Sequence, residues 1–160
     1  MAIDKITTVT TGDGKKIAFD HYKCGFSNVV VLAHGFYNNK DTVLFKQIAG
    51  FLSEQYDVIA FDFRGHGKSS GLFTWTAHEQ KDMRAIIDYA HQCGYSRIGV
   101  IGFSLGAGIA LLEASSNRLI NSVIAVAAPM DFKKIDYHFW KREMLEDCKL
   151  NLGPKGRGKG

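Results

Sequence analysis

Hydrophobic and polar positions alternate along the first two segments of the chain, then give way to continuous apolar runs separated by stripes of helical period. Ile6 to Thr11 alternates and is rich in Thr and Val, Gly12-Asp13-Gly14 is a turn signal, and Lys16 to Tyr22 alternates again with Ile17, Phe19 and His21 on one face. An opening hairpin is predicted. Asn28 to Ala33 reads Asn-Val-Val-Val-Leu-Ala, an apolar run of the kind found in a parallel strand buried on both faces. Asp41 is placed to cap a helix running to about Tyr56, with Leu44, Phe45, Ile48, Phe51 and Leu52 on one stripe. Asp57 to Phe61 reads as the next strand, and the glycine-broken loop from Asp62 to Gly71 follows it.

A second helix is predicted from about Thr76 to Gln92, with Met83, Ile86, Ile87 and Ala90 inward and Gly94 as its stop signal. Then come an apolar strand, Ile98 to Ile101, a helix reaching about Asn117, and a further apolar strand, Ser122 to Ala127, closed by Pro129. Strands alternating with helices through short connections predict an α/β fold, a mostly parallel sheet with right-handed crossovers and helices on both faces. Beyond it, Tyr137, Trp140, Met144, Leu145 and Cys148 fall at helical spacing within Asp136 to Cys148, and the chain finishes on Gly-Pro-Lys-Gly-Arg-Gly-Lys-Gly.

Composition adds exclusions. At 160 residues, 46% hydrophobic and 22% charged, the chain suits one packed domain and has no disorder-like bias. The net charge of +4 points toward an acidic partner only until it is located. Lys149, Lys155, Arg157 and Lys159 lie in the last twelve residues with no acid among them, so Met1 to Cys148 is balanced. No basic surface follows, and no nucleic-acid partner is expected. Cys24, Cys93 and Cys148 are odd in number and form no Cys-x-x-Cys, which argues against a disulfide framework or a zinc site, and no ligand cluster implies a metal or an organic cofactor. The start lacks the basic patch and apolar core of a secretory signal, and no apolar run reaches membrane-spanning length. A soluble, cytoplasmic protein is expected.

The candidate chemistry lies where the Ile98–Ile101 strand meets its helix. Gly102-Phe103-Ser104-Leu105-Gly106 is a Gly-x-Ser-x-Gly flanked by a strand and by small and aliphatic helix residues, the context a nucleophile elbow requires. A serine thrust out on so tight a turn has a strained backbone, and side chains two residues away would strike the adjoining strand or helix. A rival motif, Gly67-Lys68-Ser69, ends like a phosphate-binding loop. That pattern demands glycine at position 62, where Asp62 would repel phosphate, and the stretch after Ser69 opens no helix.

His34-Gly35-Phe36 after one strand, Asp62-x-Arg64-Gly65-x-Gly67-x-Ser69 after the next and Gly102-x-Ser104-x-Gly106 after the third together resemble the alpha/beta-hydrolase superfamily, nearest its serine aminopeptidase and monoacylglycerol-lipase-like members. The resemblance covers Lys5 to Phe132. It implies a serine hydrolase of carboxylic esters, lipid esters or peptides, with Ser104 as the nucleophile of an acyl-enzyme and the backbone N–H groups of Phe36 and Leu105 as the oxyanion hole. His34 then reads as a residue that fixes its loop, as do Asp62, Arg64 and His66. The family's acid and base follow the serine in the chain. Only 56 residues follow Ser104 here, and they hold Asp131 as a conceivable acid and His138 as the sole later histidine. The division expected is residues 1–132 as the N-terminal portion of the hydrolase core and 133–160 as the start of a lid, or a C-terminal helix, plus the basic tail. The sheet would then be incomplete at its C-terminal side, with an exposed edge suited to self-association. The alternative is a non-catalytic fragment or binding scaffold that keeps the fold and lacks the acid and base.

Overall fold

The computed structural model describes residues 2–129, with side chains from Thr7 onward. Within strand β3, Asn28–Ala33, successive side chains enter two different cores. Val29, Val31 and Ala33 join Ile59 and Phe61 of β4, Asp57–Phe61, beneath Met83, Ile86, Ile87 and Ala90 of helix α2, Glu79–Gln92, and Ile109 and Ala110 of α3, Leu105–Ala114. Val30 and Leu32 join Val58 and Ala60 of β4 on the other face, under Phe45 and Ala49 of α1, Val43–Leu52. Burial on both faces removes the need for alternation, which explains the unbroken Val-Val-Val-Leu. Each such side chain contributes about 1.5–3 kcal/mol when fully buried.

The remaining strands are β1, Ala2–Thr10, β2, Lys16–Lys23, β5, Arg97–Phe103, and β6, Ile120–Val126. The six form one sheet in the order β1-β2-β4-β3-β5-β6. β1 and β2 form the antiparallel hairpin, β2 meets β4 antiparallel, and β4, β3, β5 and β6 run parallel. This is the mostly parallel α/β sheet, helices on both faces, that the pattern predicts. In register, Ala33 stands opposite Phe61 on one side and Gly102 on the other. The loops leaving β3, β4 and β5 therefore emerge together, at the carboxyl ends of parallel strands where open α/β sheets bind their ligands.

The helix starts differ from those predicted. Asp41 does not cap α1: Thr42 holds the N-cap position without a side-chain cap bond, and the Asp41 carboxylate lies instead among Lys40, Lys46 and Lys68 at 3.3, 3.6 and 3.0 Å. The stripe is narrower too, since α1 buries Phe45 and Ala49 while Leu44 and Phe51 are exposed. α2 begins at Glu79 rather than Thr76 because Trp75 and Thr76 have φ of 53° and 74°, which no right-handed helix accommodates. Along β6, Ile124 and Val126 are exposed, and among the described residues this strand pairs with β5 alone.

Candidate active site

The β5–α3 junction is built around a single strained residue. Ser104 has φ 49° and ψ −115°, and its N–H donates to Val126 O at 2.8 Å while its carbonyl accepts from Ala107 and Gly108 at the start of α3. Its side chain is exposed. A Cβ on Gly102 would lie 2.5 Å from Gly106 O and 2.6 Å from Ala107 Cα, and one on Gly106 would lie 2.5 Å from His34 O and 2.6 Å from Ala33 O. Both glycines are therefore required by backbone, which cannot rotate aside. Gly106→Ala is expected to lower stability by about 1–3 kcal/mol through overpacking against β3. Gly50→Ala, in α1 with nothing within 4 Å, is expected to raise it by about 0.5–1 kcal/mol, and urea midpoints of the two variants should move in opposite directions.

Gly35 brings the loop after β3 against this turn. A Cβ there would stand 3.2 Å from Ser104 Cβ and 3.2 Å from Phe103 O, so a side chain at this point would crowd the turn, and Phe36 follows directly after it in the chain. Leu105, buried, is the first residue of α3, and the leading N–H groups of a helix have no intrahelical acceptor and carry its positive end. Asp131 and His138 lie outside the described residues.

His34 is fully buried and both its ring nitrogens are committed: Nδ1–H donates to Gly35 O at 2.7 Å, and Nε2 accepts from the Phe63 N–H at 3.0 Å. Burial, reinforced by neighbouring His66, lowers its pKa to about 3, so it stays neutral and binds the β3 loop to the β4 loop. His66 donates Nδ1–H to Arg64 O at 3.1 Å, while its Nε2 is buried without a hydrogen-bond partner. Burial likewise depresses the His66 pKa.

Asp62, also fully buried, accepts from the N–H of Lys40 at 2.7 Å and of Lys68 at 2.9 Å, and Ser69 Oγ donates to its carbonyl at 2.6 Å. Burial raises the Asp62 pKa to about 6, the backbone donors and Lys40 offsetting only part of it. The Lys40 ammonium is buried against Asp20 at 2.9 Å. Burial opposes its charge, but the Asp20 hydrogen bond and the surrounding carboxylates outweigh burial and raise its pKa. Arg64, 1% exposed, spans three elements: it chelates Asp82 of α2 through Nε and a terminal nitrogen at 2.9 and 2.6 Å and reaches Asp13 of the hairpin turn at 2.8 Å. These partners lie 18 and 51 residues away in the chain, beyond any local pattern.

Over the loops lies an aromatic group that the sequence pattern leaves unmarked. Phe36 packs on Tyr37, Phe73 and Trp75 with ring centroids 4.2, 4.8 and 4.9 Å apart, and His66 meets both Phe36 and Phe73 edge-on. The local signal was the Phe-x-Trp spacing after Leu72. Far below, at the amino ends of the parallel strands, His21 is a hub rather than a simple face residue. Tyr89 and Tyr95 hydroxyls meet its ring nitrogens at 3.0 and 2.6 Å, and Tyr95 donates onward to Asp57 at 2.6 Å.

The chain matches the alpha/beta hydrolase fold family over residues 28–153 and belongs to it. The esterase Pf2001 of Pyrococcus furiosus superposes with a TM-score of 0.79 at 29% identity, covering 91% of this chain and 62% of that one. Among curated relatives, a probable alcohol acetyltransferase of Cyberlindnera jadinii is 27% identical over 110 residues, and a serine hydrolase-like protein of Dictyostelium discoideum is 32% identical over 103 residues. These matches cover 66% and 62% of this chain. The chain spans only 30% and 28% of those relatives' own lengths. Among the described residues, no helix is long and apolar enough to cross a membrane, and no group of three or more His, Cys, Asp or Glu side chains could hold a metal ion.

Proposed function

We propose that the protein is a serine hydrolase that cleaves carboxylic esters through an acyl-enzyme on Ser104. The observation that carries this reading is an exposed serine held at φ 49° on a turn whose two flanking glycines admit no side chain. Strain of this kind persists only where the surroundings impose it. Ser104 Oγ attacks the ester carbonyl as a base takes its proton, and the negative charge moves to the carbonyl oxygen. The N–H groups of Phe36 and Leu105 receive that oxyanion, each worth about 3 kcal/mol of transition-state stabilisation. Collapse breaks the carbon–oxygen bond to the alcohol, which leaves with the proton, and water then releases the acid by the same steps reversed. The whole protein's base and acid come from beyond residue 129, where His138 and Asp131 are this chain's own candidates. The family membership and the 29% identity to an esterase support this reading.

A fluorophosphonate probe tests it, because the reagent modifies only an activated hydroxyl. Labelling is expected on the peptide containing Ser104 and is expected to vanish in Ser104→Ala. An unlabelled whole protein, folded by circular dichroism, sinks the reading in favour of a non-catalytic scaffold. His138→Ala is expected to abolish labelling if that residue is the base.

A further inference from the structure

We infer that Phe36, Tyr37, Phe73 and Trp75 form a binding wall for an uncharged aryl group carried by the ester substrate. The inference rests on Ser104 as the reacting residue and adds the class of substrate. Position comes first: a Cβ on Gly35 would stand 3.2 Å from Ser104 Cβ, and Phe36 is the next residue, so the wall starts from the loop that packs against the reacting residue's turn. The wall is also held in place from behind. A Cβ on Gly65 would sit 2.3 Å from Phe73 N, so the Leu72–Phe73 backbone is pressed onto the β4 loop. Buried Glu79 accepts from Thr74 N–H and Oγ at 2.6 and 2.9 Å, which fixes the backbone just before Trp75.

Strain marks the same surface. Five described non-glycine residues have positive φ; one is Ser104, and Tyr37, Trp75 and Thr76 are three of the others. A non-glycine residue in this region costs on the order of 1–3 kcal/mol. A merely structural cluster of rings would pack as well without that expense. The chemistry of the wall selects an aryl group over an alkyl chain. Phe36 and Phe73 are stacked at an interplanar angle of 27°, while Trp75 and Tyr37 tilt at 43° and 58° to Phe36. A ring added to such a group gains offset or edge-on contacts that a flexible chain of equal size does not. Phe36, Phe73 and Trp75 are half-buried and Tyr37 is 37% exposed, while Leu72 alongside is 82% exposed, so the side chains named here offer a ligand aromatic and aliphatic surface.

The test is binding to the full chain bearing Ser104→Ala, which removes turnover. Ethyl 3-phenylpropanoate and ethyl nonanoate have the same number of non-hydrogen atoms, and their affinities are compared by titration calorimetry. The phenyl ester is expected to bind roughly fivefold tighter, the equivalent of about 1 kcal/mol. Trp75→Leu and Phe73→Leu are expected to erase the preference. The chain has two tryptophans, so Trp140→Phe leaves Trp75 as the sole emitter, and its fluorescence is expected to change with the phenyl ester. Equal affinities for the two esters, a preference that survives both leucine variants, or an unperturbed Trp75 emission overturns the inference. Fluorophosphonate labelling of the wild type separates the two readings. A chain that labels at Ser104 without aryl preference keeps the hydrolase and loses the wall. One that prefers the aryl ester without labelling does the reverse.

Discussion

Arg64→Ala is expected to cost about 3–5 kcal/mol of folding stability, read as a collapse of the urea midpoint. The loss comes from what the arginine leaves behind. Asp82 is fully buried on α2 and accepts three hydrogen bonds from the guanidinium, two of them from Nε, together with the Arg64 backbone N–H at 2.9 Å. Burial already raises the Asp82 pKa even with the arginine beside it. Without the guanidinium, that carboxylate must be protonated or face apolar surroundings unpaired. Asp13, the other partner, is 27% exposed and can return to water, so Asp13→Asn is expected to cost a fraction of the amount. Arg64→Lys restores the charge but not the fork that spans α2 and the hairpin turn, and should recover only part of the loss. Typical domains are stable by about 5–15 kcal/mol, so the alanine variant approaches the limit of folding. A loss below about 1 kcal/mol would mean that water reaches Asp82.

This difference between a visible residue and its invisible partners runs through the chain. The bounds of β3 and β4 were legible to the residue because an apolar run buried on both faces must stop where polar turn residues begin. The glycine spacing around Ser104 was legible because backbone crowding requires it at fixed offsets. Helix starts were not. Asp41 has the right chemistry for a cap, but three lysines compete for its carboxylate, two of them from outside α1, and Thr76 fails as a start because its backbone and that of Trp75 lie in the left-handed region. Arg64, His66 and Asp62 could be read as loop-fixing from the motif, yet the partners that define their energetics come from α2, the hairpin turn and the β3 loop. His21 shows the same limit, because Tyr89 and Tyr95 reach it from 68 and 74 residues away. The described half of the candidate site is a matter of local spacing. Its aromatic wall and buried charges are products of topology.

The loops around that site carry two buried groups with opposite responses to acid, and separating them yields the second large effect. Acidification from about pH 6.5 to about pH 4.5 is expected to cost Asp62→Asn about 3 kcal/mol of stability and wild type less than half of that. His34 has a folded pKa near 3 against an ordinary 6.5, so over this range the unfolded chain takes up a proton that the native state refuses. Its contribution is intact above 6.5 and is lost at about 1.4 kcal/mol per pH interval as acid is added, and His66 acts with the same sign. Asp62 does the contrary: its folded pKa near 6 exceeds the ordinary 3.8, so the native state binds its proton first and gains stability as pH falls through 6. Asp82 shifts in the same direction as Asp62. Carboxylates held low by their partners, such as Asp13, Asp41 and Asp57, withdraw their stabilisation only below 3.8, outside the window. An asparagine at position 62 keeps an acceptor for only one of the Lys40 and Lys68 amides, so its stability falls at every pH; the readout is the slope. Chemical denaturation at half-unit pH steps should therefore show a steeper acid loss in Asp62→Asn, and a shallower one in His34→Gln, than in wild type. Parallel lines for wild type and Asp62→Asn would mean that Asp62 titrates as an exposed carboxylate, and that the buried junction between the β3 and β4 loops is open to solvent.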